Sequence, residues 1–376
     1  MRVLFFGCPG FGHVVPQLPL ARAMRERGDQ VAFVAAASLS SLLEAEEIAL
    51  LPAGPEVPEL VVELKRSTGV DILAAPPSAE IEAEIFAGAR IDLGYQDSLA
   101  AARDFKPDLI VVDAMDYVGR IVASALDVPH AVIALGPAVR PESVAATDAR
   151  SVVSHEARGL TPHKARWYLD TCPPALQFDD FRAPVPRLAL RPEAYTGGGA
   201  AVPAPGESRV RPRVLVNFGT IFVIPEVITP IVRALLARDL DIRVTLGPVR
   251  NAEEFDVDSD RVEFVGFTPL AQLLSDVDAV VTVGGAGTIL GALAHGLPMV
   301  LTPLAADQPL HAGRAAAAGA GIAFPVGEFK PDQVAEAVAS VLETPDYKEA
   351  AQRVAAEIKA MASPAEVAAE LAAAID

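Results

Sequence analysis

Val281-Thr282-Val283-Gly284-Gly285-Ala286-Gly287-Thr288 carries an apolar, β-branched run into four small residues and then into a helix-compatible stretch. A short continuous apolar run closed by glycine is the pattern of a strand buried on both faces, as in a parallel sheet. The residues that follow predict a helix from Thr288 to His295. Unpaired amides at such a helix start, together with its positive dipole end, suit an anion. The same small residues also suit close strand–helix packing, and the pattern by itself does not separate the two.

The alternation continues on both sides of this stretch. Upstream, Val214–Phe218 reads as a strand, Pro225–Arg238 as a helix, Asp241–Leu246 as a strand and Leu270–Leu274 as a short helix leading to the strand Ala279–Val283. Downstream come a strand at Met299–Thr302 and helices at Asp307–Ala318, Gln333–Leu342 and Tyr347–Ala360. The N-terminal half repeats the scheme. Val3–Phe6, Val31–Ala35, Leu109–Val112 and Ala131–Ala134 read as strands, with helices at Leu18–Gly28 and Gly119–Leu126. The segment from about Gly54 to Ala102 is less regular, holds acidic helical stretches such as Ala79–Ala87, and suits a pocket wall or a lid. Between the halves, Thr-Gly-Gly-Gly-Ala-Ala-Val-Pro-Ala-Pro-Gly-Glu-Ser, starting at Thr196, has linker composition. The expected fold class is α/β, with two Rossmann-like doubly wound domains, residues 1–205 and 206–376, facing each other across a cleft.

Composition narrows the function. A chain of 376 residues, 51% apolar, has enough sequence for two cores. A formal net charge of −18 opposes nucleic-acid and anionic-lipid partners. No apolar run reaches bilayer length, so no membrane span is expected. Cys8 and Cys172 lie far apart, which speaks against a disulfide framework and for a reducing cytoplasmic setting. No Cys/His cluster has metal-ligand spacing. Asp256-Val257-Asp258-Ser259-Asp260 starts like a calcium loop but lacks the loop's glycine and terminal glutamate in register. No metal or cofactor is therefore expected.

Four constellations carry candidate chemistry. Gly7-Cys8-Pro9-Gly10-Phe11-Gly12-His13 follows the first strand. Its spacing is not that of a dinucleotide fingerprint, and Val34-Ala35-Ala36-Ala37 stands where an acidic residue would follow the second strand. What remains is a histidine at a tight turn, suited to take a proton from an alcohol. Asp113 ends the strand at Leu109–Val112, where a carboxylate can orient an imidazole or cap the next helix, and Asp116 is a rival for either role. Phe218-Gly219-Thr220 is a second strand-to-glycine turn that can face the same anion as the first. Asp307-Gln308 offers acceptors and donors for hydroxyls, or a helix cap.

In order along the chain, these pieces resemble the family-one, GT-B fold glycosyltransferases, especially actinobacterial enzymes that decorate polyketides, macrolides and enediynes. The resemblance rests on Gly12-His13-Val14-Val15-Pro16, Leu18-Pro19-Leu20-Ala21, Asp170-Thr171-Cys172-Pro173-Pro174 and Leu190-Arg191-Pro192. It is strongest from Val265-Gly266-Phe267 through Gly284–Thr288, His295-Gly296-Leu297-Pro298 and Ala306-Asp307-Gln308 to Gly319-Ala320-Gly321. It implies an inverting, metal-independent transfer of a deoxysugar from a nucleotide diphosphate, with thymidine the expected base, to a hydroxyl of a hydrophobic natural product. In that scheme His13 is the base and Asp113 orients it. Gly219, Thr220, Val283, Gly285, Ala286, Gly287 and Thr288 surround the diphosphate, Phe267 lies near the nucleotide base, and Asp307 and Gln308 read the sugar. Phe11, Trp167 and Tyr168 are the expected acceptor-binding residues, although Trp167 and Tyr168, flanked by His155 and His163, equally suit a packing cluster.

Two positions depart from the family pattern. Val283 stands where a diphosphate-contacting histidine is usual, and His311 where an asparagine is common. Loss of that histidine keeps a second reading open, a catalytically impaired homologue that binds donor or a partner enzyme. A homodimer is compatible with the sequence and not required by it. His295 and His130 read as a helix cap and a structural residue.

Overall fold

Arg2–Phe6 (β1) is an apolar strand whose last four residues are buried. Around it the computed structural model builds a parallel sheet from Gln30–Ala35 (β2), Ala49–Pro52 (β3), Leu109–Asp113 (β4), His130–Ile133 (β5), Trp167–Asp170 (β6) and Arg187–Ala189 (β7). The order is β3-β2-β1-β4-β5-β6-β7. Residues 1–71, 78–198, 209–248 and 250–375 are described.

A second parallel sheet has the same winding. Its strands are Arg213–Asn217 (β8), Asp241–Thr245 (β9), Val262–Val265 (β10), Ala279–Thr282 (β11), Met299–Leu301 (β12) and Gly321–Ala323 (β13), in the order β10-β9-β8-β11-β12-β13. In each sheet the chain first winds outward one way and then returns to the other side of its first strand. The reversal falls between β1 and β4 in one sheet and between β8 and β11 in the other. Loops at the carboxyl ends of such strand pairs diverge and leave a crevice, so chemistry is expected there.

Both faces of the second sheet are covered, which is why its strands read as continuous apolar runs. Val214, Val216, Val281 and Val300 pack with Ile231, Val232, Leu235 and Val338 on one face. Leu215, Val280, Met299 and Leu301 pack with Ile289, Leu293 and Val354 on the other. In the first sheet, Leu4, Phe6, Ile110 and Val112 pack under helices that supply Ile91, Leu99, Ile121 and Val122.

Contacts divide the chain into two units. One holds Met1–Thr171, Asp180–Leu190 and the segment from Ala362 onward, and the other Cys172–Asp179 and Arg191–Met361. The boundary expected at 205/206 lies outside the described residues. The chain does not end on the second unit, as the reading of Tyr347–Ala360 as the last helix implied. A further helix, Pro364–Ile375, packs on the helix Leu18–Glu26 of the first unit. Ser363 and Glu366 close its start, each side chain accepting the other's backbone N–H.

The segment from Gly54 to Ala102 is helical over the acidic stretch expected at Ala79–Ala87 and over most of its other described residues. Val57–Thr68 is a capped helix, Ala79–Ala83 leads into a π-helical turn at Glu84–Ala89, and Arg90–Phe105 continues from it. Among the described residues no helix is long and apolar enough to cross a membrane.

Candidate functional site

In the first unit the winding reversal assembles a histidine and a carboxylate. After β1 the chain turns through Gly7–Gly10 into the short helix Phe11–Val14. Gln17, fully buried, donates from Nε2 to Phe6 O at 3.0 Å and to His13 O at 2.8 Å, pinning this helix to the end of β1. His13 thus sits over the end of β4 with its side chain 29% exposed, and its Nδ1 lies 3.2 Å from Asp113 Oδ2. Asp113 is itself inaccessible. Its Oδ2 accepts the Cys8 amide at 3.0 Å and its Oδ1 the Met115 amide at 2.7 Å. Burial pushes the Asp113 carboxyl up, but the His13 charge and hydrogen bond, the Cys8 amide and Arg90 outweigh it and hold the group at about 2.

The two aspartates have separate tasks. Asp116, not Asp113, caps the helix Tyr117–Leu126, accepting from Gly119 N at 2.7 Å. Asp116 also takes Arg90 Nη2 at 2.9 Å. Arg90, Gln17 and Cys8 were not foreseen as site residues, because nothing local marks them.

Cys8 Sγ, His13 and Asp113 place one potential donor atom each within 4.8 Å of one another, a grouping no sequence spacing announced. Burial raises the Cys8 thiol well above its ordinary value, so it stays protonated, and the Arg90 guanidinium lies against its sulfur. Asp113 is committed to two amides and the imidazole.

Of the expected acceptor residues, Phe11 starts the His13 helix and is half-buried. The Phe86 ring, which the sequence reading did not single out, lies 6.5 Å from that of His13. Trp167 and Tyr168 lie on β6, two strands from β4. They open β6, level with Ala131 and Val132, whereas the His13 edge is level with Ile133 and Leu169. Tyr168 is buried and packs on Phe181 at 5.7 Å, whereas Trp167, on the opposite face of β6, is half-buried with the Arg166 guanidinium over its ring.

In the second unit, Asn217 closes β8 and organises the turn after it. Its Oδ1 accepts Gly219 N at 2.9 Å and Thr245 Oγ1 at 3.1 Å, and its Nδ2 donates to Thr288 Oγ1 at 3.3 Å. The Gly219 amide is therefore spent within the turn, where φ is 72° and glycine avoids the strain of a side chain. Thr220 follows half-buried. The helix Ala286–Ala294 starts at Gly285 with no side-chain cap, its first residues Ala286 and Gly287 reaching the surface. Thr288 Oγ1 accepts from Asn217, which leaves its hydroxyl hydrogen as a donor.

Val283 requires a correction. Its side chain was expected to border the diphosphate, but it is 3% exposed and belongs to the core with Val216, Val281 and Val300. Strand alternation carries residues 281 and 283 to the same inward face. Gly284 then turns the chain at φ 96°, where an added Cβ would meet Gln308 O at 3.1 Å.

Asp307 precedes the helix Gln308–Ala317 without capping it, and its side chain is 65% exposed, with His311 Nε2 3.8 Å away. Gln308 is buried, and its Oε1 accepts the amides of Leu304 at 2.8 Å and Ala305 at 3.0 Å, leaving Nε2 as its donor. Phe267 is 44% exposed beside the Tyr195 ring at 6.2 Å. His295 binds Gly291 O at 2.8 Å, as a cap of its own helix.

Residues 92–219 match the N-terminal domain, and residues 231–374 the C-terminal domain, of the erythromycin biosynthesis protein CIII-like proteins. Elloramycin glycosyltransferase ElmGT of Streptomyces olivaceus is 31% identical over 99% of this chain and 97% of its own. The chain belongs to this glycosyltransferase family. The crystal structure of the glycosyltransferase SnogD from Streptomyces nogalater is 28% identical, with a TM-score of 0.79 over 100% of this chain and 99% of that one. The glycosyltransferase SsfS6 of Streptomyces sp. SF2575, crystallised with thymidine diphosphate, shares the fold at 24% identity and a TM-score of 0.84, over 99% of each chain. Two parallel-sheet α/β domains of the GT-B type are thus the architecture of this glycosyltransferase, as its sequence led one to expect.

Proposed function

We propose that this glycosyltransferase moves a deoxysugar from thymidine diphosphate to a hydroxyl of a hydrophobic natural-product aglycone, with inversion and without a metal. The observation that carries the proposal is the His13–Asp113 pair. A fully buried carboxylate facing Nδ1 fixes the tautomer, so Nε2 is the nitrogen that accepts the acceptor's proton. The hydroxyl oxygen then bonds to the anomeric carbon as the bond to the diphosphate breaks. The proton rests on His13, and Asp113 steadies the resulting cation.

The departing diphosphate needs donors in place of a metal. The uncapped start of the helix Ala286–Ala294, the Thr288 hydroxyl and Thr220 supply them. Phe267 offers its exposed face to the base, and Asp307 with the Gln308 amide offers an acceptor and donors to the sugar. The thymidine diphosphate in the SsfS6 crystal and the elloramycin in the name of ElmGT support the donor and the acceptor class.

The test is transfer from a thymidine diphosphate sugar to an aromatic polyketide or macrolide aglycone, followed by product stereochemistry. His13→Ala should lower kcat by about 10²–10⁴-fold with nucleotide affinity unchanged, and EDTA should leave the wild-type rate intact. Undiminished turnover in His13→Ala would remove the base from the scheme.

A further inference from the structure

Behind His13 and Asp113 lies a charge that the proposed chemistry does not use. Arg90 opens the helix Arg90–Phe105 directly after the π-helical turn Glu84–Ala89 and is 5% exposed. A π turn adds a residue to the helical register and re-aims the side chains that follow. Arg90 Nη2 donates to Asp116 Oδ2 at 2.9 Å, and Nη1 donates to Cys8 Sγ. The amide of the same Cys8 donates to Asp113. Asp113 and Asp116 are both inaccessible to solvent.

The charged groups of the adjoining elements are engaged elsewhere. Glu84 pairs with Arg150, Asp92 with Arg150 and Arg158, and Asp148 with Arg120 and the Tyr117 hydroxyl. The groups facing Arg90 are Cys8, Asp113 and Asp116, and a His13 ring nitrogen lies within 4.8 Å of the Cys8 sulfur. Two neighbouring buried carboxylates do not both stay ionised without a cation, and removing one partner of a buried pair leaves the other uncompensated.

We propose that Arg90 is a positioning residue for the transfer: it is the buried counter-charge behind the Cys8, Asp113 and Asp116 cluster, and so keeps the pair with His13 competent to accept a proton near neutral pH. This rests on the reading of His13 as the base. The sign of its effect is fixed by electrostatics. Removing a positive charge raises the proton affinity of every group in the cluster. The active form needs Asp113 ionised and His13 neutral, so it is then reached only at higher pH. Arg90 touches Cys8, whose sulfur lies within 4.8 Å of both the His13 and Asp113 donor atoms. A guanidinium this close to the ring, at an effective permittivity of about 20, corresponds to a shift on the order of one pH unit.

The experiment is the pH profile of kcat/KM for the wild type, Arg90→Met, Arg90→Lys, Asp116→Asn and Arg90→Met/Asp116→Asn. Asparagine at 116 can still accept the Gly119 amide, so the helix keeps its cap. Arg90→Met should move the acidic limb up by on the order of one unit, and Arg90→Lys should hold it near the wild type. Asp116→Asn should move it down, and the double variant should return it. If Arg90→Met fails to fold, the downward shift in Asp116→Asn carries the test. Rates lowered equally at every pH, with limbs unmoved, would overturn the proposal, as would a limb still displaced in the double variant. Titration of the His13 ring by NMR in the free enzyme reads the same shifts without turnover. Normal transfer by His13→Ala would sink the base reading alone, while an unmoved ring titration in Arg90→Met or Asp116→Asn would sink the role of Arg90.

Discussion

Replacing Asp113 by asparagine changes one oxygen into an amide nitrogen where every partner is a donor. Oδ2 receives the Cys8 amide at 3.0 Å and faces His13 Nδ1 at 3.2 Å, while Oδ1 receives the Met115 amide at 2.7 Å. With its carbonyl toward Cys8 and His13, the asparagine NH₂ confronts the Met115 N–H. Flipped, the NH₂ confronts the Cys8 N–H and donates to Nδ1, which selects the tautomer protonated at Nε2 and removes the acceptor that the transfer needs. Either orientation strands a buried N–H, at about 1–3 kcal/mol of stability. Both remove the charge that steadies the imidazolium. The expected loss in kcat is about 10²–10⁴-fold, equivalent to about 3–5 kcal/mol of transition-state stabilisation. Initial rates at saturating donor measure this, with calorimetric nucleotide affinity, expected unchanged, as the control on the second unit. An asparagine variant that folds and turns over at the wild-type rate would refute the orienting role.

Val283→His should destabilise by about 1–3 kcal/mol without tightening nucleotide binding, because the valine completes a packed core and imidazole is larger and polar; a calorimetric gain in thymidine diphosphate affinity would show that residue 283 reaches the phosphates after all. His130 is buried, and desolvation, followed by the charges of Arg120, His163 and His155, lowers it to about 3. A histidine depressed in the folded state stabilises fully above its unfolded value of about 6.5, and stability falls by about 1.4 kcal/mol per pH unit from there down to the folded value. Urea unfolding of His130→Asn between those limits should show a shallower decline with pH than the wild type, and an identical slope would show that His130 does not drive it.

Much of the architecture was legible because its signals are local. An apolar run, a glycine turn and a helical repeat each act within a few residues, so β1, β4, β8 and β11 and the turns that follow them could be placed from the chain alone. The switch-point rule then put His13, Asp113, Gly219 and the start of the helix Ala286–Ala294 at strand ends suited to ligands. Strand alternation also held the fate of Val283, since residues 279, 281 and 283 share a face. The resemblance to a histidine-bearing family masked that simpler signal.

The remainder depended on which distant residues the folded chain brings into contact. The helix Pro364–Ile375 buries Val367, Ala368, Leu371 and Ala372 in a helical stripe, but its exposed face is also alanine-rich, and no periodicity says that it returns to the first unit. Trp167 and Tyr168 are neighbours in sequence, and only the pairing of β6 between β5 and β7 sets Tyr168 against Phe181. Asp113 and Asp116 are equivalent candidates in sequence. Tertiary contact alone gives one the His13 ring and the other a helix cap and Arg90. Gln17, Arg90 and Asn217 carry no motif, yet they pin the histidine turn, balance the buried carboxylates and tie Gly219 to Thr288. Propensity and periodicity are properties of neighbouring residues and survive in a linear reading. Hydrogen bonds and buried charges depend on separations of a few ångströms between residues such as Cys8 and Asp113, 105 positions apart, and only the path of the whole chain sets those.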